Sequence, residues 1–194
     1  MTERRLKKFF DVVSGRQKYL TLVLENIHDP HNVSAILRTA DAAGVDKIYL
    51  IYNTNKFPKI GKTSSASAKK WVELIKFSTV SECYAALRKE KYRIYSTRMS
   101  ESEINVSLYD LNLARNTAIV LGNEHTGVSD EAAELADKNF LIPMYGMIQS
   151  LNVSVSAAIC LYEALRQRQS KGMYDKSAYN KKDFKIKLER YLKR

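Results

Sequence analysis

The chain has 194 residues, 45% of them hydrophobic, and a formal net charge of +11. That length supports one sizeable core, and no apolar run approaches the roughly 20 residues a bilayer-spanning helix needs. The charged start, Met-Thr-Glu-Arg-Arg-Leu-Lys-Lys-Phe-Phe, lacks the apolar centre of a secretory signal, so a cytoplasmic protein is expected.

In chain order, hydrophobic spacing predicts helix 3–13, strand 20–25, helix 32–43, strands 47–52 and 73–77, helix 80–90, strands 92–98 and 117–122, helix 129–137, strand 139–142, and helices 152–169 and 181–193. Alternation of this kind points to an α/β fold: a mostly parallel sheet with helices on both faces. The segment Asn53 to Lys70 breaks the rhythm, with Pro58, Gly61 and the small-residue run Thr63 to Ala68, and reads as a loop able to close over a nucleic acid. Cys83 and Cys160 fall inside helices without metal-ligand spacing, so two buried thiols are expected and no metal site. Trp71 is expected to pack the sheet.

The charge is unevenly placed. Residues 1–20 hold six Lys/Arg against two acids, residues 171–194 nine against three, and residues 21–170 are left with 17 against 16. The chain therefore divides into a basic N-terminal helical extension (1–19), an almost neutral α/β body (20–170) and a basic C-terminal helical extension (171–194). Two basic ends are either electrostatic arms for a polyanion or solvated helical faces. Phe184, Leu188 and Tyr191 fall at helical spacing and suit docking of the last helix.

Three strand-to-helix junctions stand out. In the first, strand Leu20 to Leu24 runs into Asn26-Ile27-His28-Asp29-Pro30-His31-Asn32. The helix that follows sets Val33, Ile36, Leu37 and Ala40 on one face and leaves Arg38 off that stripe. In the second, Ala118 to Leu121 enters the glycine-bracketed Gly122-Asn123-Glu124-His125-Thr126-Gly127. In the third, Phe140-Leu141-Ile142 stops at Pro143, and Gln149, Ser150 and Asn152 offer side chains that cap the N–H groups opening a helix. No G-x-G-x-x-G or G-x-x-x-x-G-K-[ST] pattern is present at these junctions. All three leave the carboxyl ends of strands, where ligands of parallel sheets bind.

His31-Asn32-Val33-Ser34-Ala35-Ile36-Leu37-Arg38, Leu121-Gly122-Asn123-Glu124 and Gln149-Ser150-Leu151-Asn152-Val153-Ser154 resemble, in order and separation, the three motifs of the SpoU (TrmH) family of RNA ribose 2′-O-methyltransferases. The likeness runs from about residue 4 to the C-terminus and is strongest to members that methylate guanosine 18 of the tRNA D-loop. It implies a deep trefoil knot of the SPOUT type in the C-terminal half, which no periodicity argument would propose. It also implies S-adenosylmethionine as cofactor, tRNA as substrate and a homodimer in which the arginine of one subunit approaches the cofactor of the other.

Carried over motif by motif, the resemblance makes Arg38, Asn32, Glu124, Ser150 and Asn152 the catalytic set. It places cofactor contacts at Thr97, Gly122, Ile142, Ser150 and Leu151, largely through main chain. RNA contacts fall to His31, Arg166 and Arg168, with Lys8 standing where the family has an arginine and Arg4 and Arg5 nearby. Some assignments leave alternatives open. Asn32 also reads as a plain helix N-cap, and Arg166 and Arg168 also suit the dipole of a final helical turn. Arg38 serves either as base or as the cation that stabilises a developing alkoxide. Two other functions stay open: methylation of ribosomal RNA, and a non-catalytic RNA-binding module.

Overall fold

The computed structural model describes residues 2–54, 56–58, 68–98 and 106–193. All six residues of β1 (Leu20–Glu25) are buried, as expected of a central strand covered on both sides, and the alternation of its side chains explains the rest of the architecture. Leu20, Leu22 and Leu24 face one helical layer and Val23 the other. The first layer is α2 (Pro30–Ala42) with α6 (Val153–Ser170), contributing Ile36, Leu37 and Ala40 and then Ala157, Cys160, Leu161 and Ala164. The second is α4 (Val80–Lys89) with the short α5 (Asp130–Glu134), contributing Cys83, Tyr84, Leu87 and Ala132. Each fully buried Leu or Ile contributes about 1.5–3 kcal/mol.

The remaining strands are β2 (Lys47–Ile51), β3 (Glu73–Phe77), β4 (Arg93–Thr97), β5 (Val106–Ser107), β6 (Thr117–Leu121) and β7 (Lys138–Leu141). In the sheet they stand in the order β3-β2-β1-β6-β4-β7-β5, every pairing parallel. From β1 the chain winds outward through β2 and β3, and the later strands occupy the other side of β6. The crevice above the carboxyl ends of β1 and β6 is therefore a switch point, the place where this class of sheet binds ligands. The expected parallel α/β fold is present.

Several boundaries differ from the sequence reading. The first-motif helix starts at Pro30, because the Asp29 carboxylate accepts the His31 N–H at 2.8 Å and proline at the opening position already has the helical φ; Asn32 is not the N-cap. Asn152 does cap α6, accepting from the Ser154 N–H at 2.8 Å. The helix expected over 129–137 closes after Glu134: Asp137 donates its N–H to Ile94 O and accepts the Ile94 N–H at 2.8 Å, drawing the chain back into the sheet. Within 53–70, Ala68–Trp71 forms a helical turn, α3, while Gly61 and Thr63 to Ser67 of the expected closing loop lie outside the described residues. The two-residue β5 and the 3-10 turn Leu108–Asp110 are too short to carry a period.

The terminal helices α1 (Glu3–Gly15) and α7 (Lys181–Leu192) are not separate arms. They pack on one another through Phe9, Val13, Tyr191, Phe184 and Leu188, with Trp71 against Phe9 and Tyr191 rather than against the sheet. Arg16, counted among the basic residues of the N-terminal end, is fully buried. It donates to the Tyr191 hydroxyl at 3.0 Å and to Val45 O at 2.8 Å, and it pairs with Asp41 at the end of α2. Both cysteines are free and buried, as expected.

Arg168, expected to reach RNA, is instead 1% exposed, and its guanidinium donates to the carbonyls of Leu113 (3.0 Å), Tyr19 (2.8 Å) and Arg115 and to the Gln17 side chain (3.2 Å). A planar five-donor group matches carbonyls converging where β1 and β6 begin, so this arginine pins the base of the sheet. Arg168→Ala orphans those carbonyls and should lower stability by roughly 3 kcal/mol, with Arg168→Lys recovering only part because one ammonium cannot span the four acceptors. Urea unfolding of the three proteins checks this.

Candidate active site

The site grows from the connection between β1 and α2. Asn26 ends the strand with φ of 51°, a left-handed conformation that asparagine tolerates better than most residues. Its side-chain amide donates to Asn53 at 2.7 Å and accepts from the N–H groups of Asn53 and Thr54, while its own carbonyl accepts from the Asn123 amide at 2.7 Å. This one residue ties the exits of β1, β2 and β6 together.

Glu124 completes the join. Its carboxylate accepts from the N–H groups of His28 (3.1 Å) and Asp29 (3.2 Å) and from the Asn32 amide (2.9 Å). Asn32 in turn accepts from the Asn152 amide at 3.0 Å. The three motif segments thus meet in one relay, Glu124 to Asn32 to Asn152. Burial pushes the Glu124 carboxyl up, but the Asn32 amide and the backbone N–H groups of His28, Glu124 itself and Asp29 outweigh it and hold the acid below its ordinary 4.5.

Beside this relay lies a cavity of about 600 Å³. Its wall includes all five residues expected to hold a cofactor, Thr97, Gly122, Ile142, Ser150 and Leu151, together with Glu124 and Asn152. Thr97 is fixed by its hydroxyl, which donates to Val120 O at 3.0 Å. Gly122 is needed for close approach: a Cβ there would stand 2.1 Å from the main chain of Gly127, which returns against it in a tight loop closed by Asn123 and Gly127 exchanging backbone hydrogen bonds at 2.9 and 2.8 Å. Leu121, Phe140 and Val153 make the floor apolar, while Asn123, Gln149 and Ser150 supply polar edges.

The other expected residues lie outside this wall. Arg38 and His31 are exposed on α2, and Arg4, Arg5 and Lys8 are exposed on α1. Arg166 is exposed as well and donates twice to Glu163 at 2.8 Å. Asn26, Asn123 and Arg98 have structural places at the site that sequence pattern assigns to none of them individually, although Asn26 and Asn123 stand within the strand-to-helix junction segments. The first two follow buried strands, where a lone asparagine signals a sharp backbone turn, and that is the available clue. Arg98 lines the cavity and pairs with Asp130 at 2.9 Å, a contact no spacing reveals. Among the described residues, no group of three or more His, Cys, Asp or Glu side chains is placed to hold a metal, and no helix is long and apolar enough to cross a membrane.

A parallel α/β sheet with a polar-edged cavity at the carboxyl ends of β4, β6 and β7 belongs to the class of α/β proteins built to hold a small molecule beyond their strand ends. Residues 19–162 match the SpoU rRNA Methylase family, and the chain belongs to that family. It is 42% identical over 175 residues to the tRNA (guanosine(18)-2'-O)-methyltransferase of Thermus thermophilus, covering 90% of this chain and 89% of that protein. The 23S rRNA (guanosine-2'-O-)-methyltransferase RlmB of Bordetella pertussis is 34% identical over 164 residues, 84% of this chain but 65% of that protein. Among solved structures, the Aquifex aeolicus TrmH/SpoU tRNA modifying enzyme superposes with a TM-score of 0.89 at 38% identity, covering 98% of this chain and 97% of that one.

Gly122→Ala must displace main chain, so it should cost about 3 kcal/mol and speed amide exchange at Asn123 and Gly127, measured by denaturation and by hydrogen exchange. The Glu124 pKa is lowered in the folded protein, so its stabilisation is fully present above pH 4.5 and lost as pH falls through the lower folded value. Glu124→Gln should remove that acid-dependent limb of the stability curve, read by thermal melts across the acid range.

Proposed function

We propose that this chain is an S-adenosylmethionine-dependent methyltransferase acting on the ribose 2′-hydroxyl of guanosine 18 in tRNA. The observation that carries the reading is the Glu124–Asn32–Asn152 relay, which unites all three motif segments at the rim of one cavity. Support comes also from relatives of that printed activity, which match this chain over nearly its whole length. The ribosomal alternative receives less support, because the chain spans a smaller share of RlmB.

The cavity fits the cofactor: its volume lies in the range for small-molecule sites, its floor is apolar and its rim carries hydrogen-bonding groups. Main chain at Gly122, Ile142 and Leu151, with Thr97 and Ser150, would hold it, and a knot threading the C-terminal half would keep the segment 142–152 against Gly122. When bound, S-adenosylmethionine supplies a methyl group already attached to a good leaving group. What remains for the protein is to align the ribose hydroxyl and stabilise its oxygen as the proton leaves. Guanidinium groups keep their protons, so Arg38 serves by charge, favouring the developing alkoxide. Asn32 and Glu124 fix the helix start that carries Arg38, and Ser150 and Asn152 set the opposite rim.

Arg38 is exposed and absent from the wall of its own chain's cavity. A second copy supplies it in this reading. Tyr145 and Met147 are 99% exposed, and Ile148, in the segment leading into α6, and Val155 and Tyr162, on the helix itself, are exposed apolar side chains as well. Exposed apolar side chains of this kind, in the segment and helix that follow cavity residues Ile142 and Met144, suit a homodimer that buries them and brings the partner's arginine to the rim.

For the RNA, α1 and α7 pack on one another, and Arg4, Arg5, Lys8, Lys181, Lys182 and Lys185 on these two helices, all exposed, would supply the basic contacts. His31 and Arg166, both exposed, would add further contacts. A tRNA substrate makes the cytoplasm its place of work.

Incubation with methyl-labelled cofactor and tRNA lacking the modification should place label on guanosine 18, mapped by nucleoside digestion; label elsewhere refutes the assignment. Mixing Arg38→Ala chains with Asn152→Ala chains should restore activity in heterodimers that neither homodimer shows. If about six phosphates are neutralised, tRNA affinity should fall on the order of a thousandfold between roughly 50 and 200 mM salt. Neutralising Lys181, Lys182 and Lys185 together should flatten that slope without changing cofactor affinity.

A further inference from the structure

Glu25, the last residue of β1, is a buried charge that the reaction described above does not use. It is 2% exposed, on the side of the sheet facing α4 and α5, away from the cavity. One carboxylate oxygen accepts the Ser129 N–H at 2.9 Å, and no described residue donates to the other. Its surroundings are otherwise poor in donors. Burial drives the neighbouring Cys83 thiol up to about 12, with the Glu25 charge adding to the effect, and the Tyr84 hydroxyl is spent on Ala132 O at 2.9 Å.

A carboxylate so placed is costly, and apolar replacements of buried charges are often neutral or stabilising. Stability therefore does not account for it, whereas its one bond does point somewhere. Ser129 caps α5 through its own hydroxyl, which accepts the Ala132 N–H at 3.2 Å. The two residues before it, Gly127 and Val128, are the main chain lying flush against Gly122, where even a single Cβ would collide at 2.1 and 2.2 Å. Gly122 lines the cavity. Any slack at Ser129 is transmitted through this contact to the cavity wall. The loop is held on its other side by Asn26 and by the N–H groups and amide that grip Glu124, so Glu25 is the anchor that completes the enclosure from below.

We infer that Glu25 is a positioning residue for the methyl-transfer site, holding Ser129 so that the Gly122–Val128 loop keeps the shape that binds the cofactor. This rests on the function proposed above. A charged acceptor makes the stronger bond to a backbone N–H, which explains why an acid stands where a leucine would pack better. Ser129 is an exposed residue and its bond to Glu25 is part-buried, so water can reach the N–H once the loop loosens and take the place of the lost acceptor.

The test compares the full-length protein with Glu25→Gln and Glu25→Met. Thermal melting, titration calorimetry with S-adenosylhomocysteine, amide exchange over residues 122–129 and steady-state kinetics on tRNA are measured for each. Glu25→Met should melt no lower than the parent, exchange faster across the loop and bind S-adenosylhomocysteine at least tenfold more weakly. Its KM for the cofactor should rise more than kcat falls, and Glu25→Gln should recover most of the affinity. Unchanged binding and exchange in Glu25→Met overturns the inference, as does a parallel fall in melting temperature and affinity that Glu25→Gln fails to rescue. If the parent protein itself does not bind S-adenosylhomocysteine, the proposed function is what fails, while the exchange comparison still reports whether Glu25 holds the loop.

Discussion

The Glu124 carboxylate gathers three donors from a single short stretch, the N–H groups of His28 and Asp29 and the amide of Asn32, and so locks the exit of β6 onto the exit of β1. These two strands are neighbours at the switch point, yet they lie far apart in sequence. Without an ionised acceptor here, two backbone donors at the opening of α2 would be left to solvent and Asn32 would lose what orients its amide. Asn152 depends on Asn32 in turn. The rim of the cavity is thus a chain of dependencies whose first link is one negative charge held ionised by its neighbours.

The fold supports that link from both faces of the sheet. On the cavity side, close packing at Gly122 lets the loop fold back on itself with no room for a side chain. On the far side, the buried Glu25 reaches Ser129. At the opposite end of the strands, Arg168 satisfies carbonyls ahead of β1 and β6, so the same two strands are fixed at their beginnings by a cation and at their ends by anions. Buried charges at both ends of a strand pair are expensive, and their presence argues for accurate placement over maximal stability.

Much of this is legible in the sequence because it follows local rules. Alternation of apolar runs specifies the parallel sheet, and the polar breaks after Leu24, Leu121 and Ile142 mark three loops, of which the second and third line the cavity and the first is tied to them through Asn26 and Asn32. The five residues expected around a cofactor all line it. What does not show is whatever depends on long-range partners. Arg168 and Arg16 read as surface charge because a guanidinium's burial is set by carbonyls scattered through the fold. Trp71 packs on the terminal helices and not on the sheet, since its partners Phe9 and Tyr191 come from opposite ends of the chain. Asn26 reads as an ordinary turn residue, and its left-handed backbone gains meaning only when Asn53 and Asn123 arrive beside it.

That meeting of the two ends has a bearing on how the protein is made. Phe9 and Val13 on α1 have Trp71 but neither Tyr191 nor Leu188 to bury against until the end of the chain is made, so during translation the apolar face of this helix is only partly covered while the sheet assembles behind it. Chains emerge N-terminus first at about 5–20 residues per second, which leaves that face open for roughly ten seconds or more and makes it a natural client for a holding chaperone. Closure by α7 is then among the last packing events, and a nascent chain stalled before residue 181 would leave that flank unsealed.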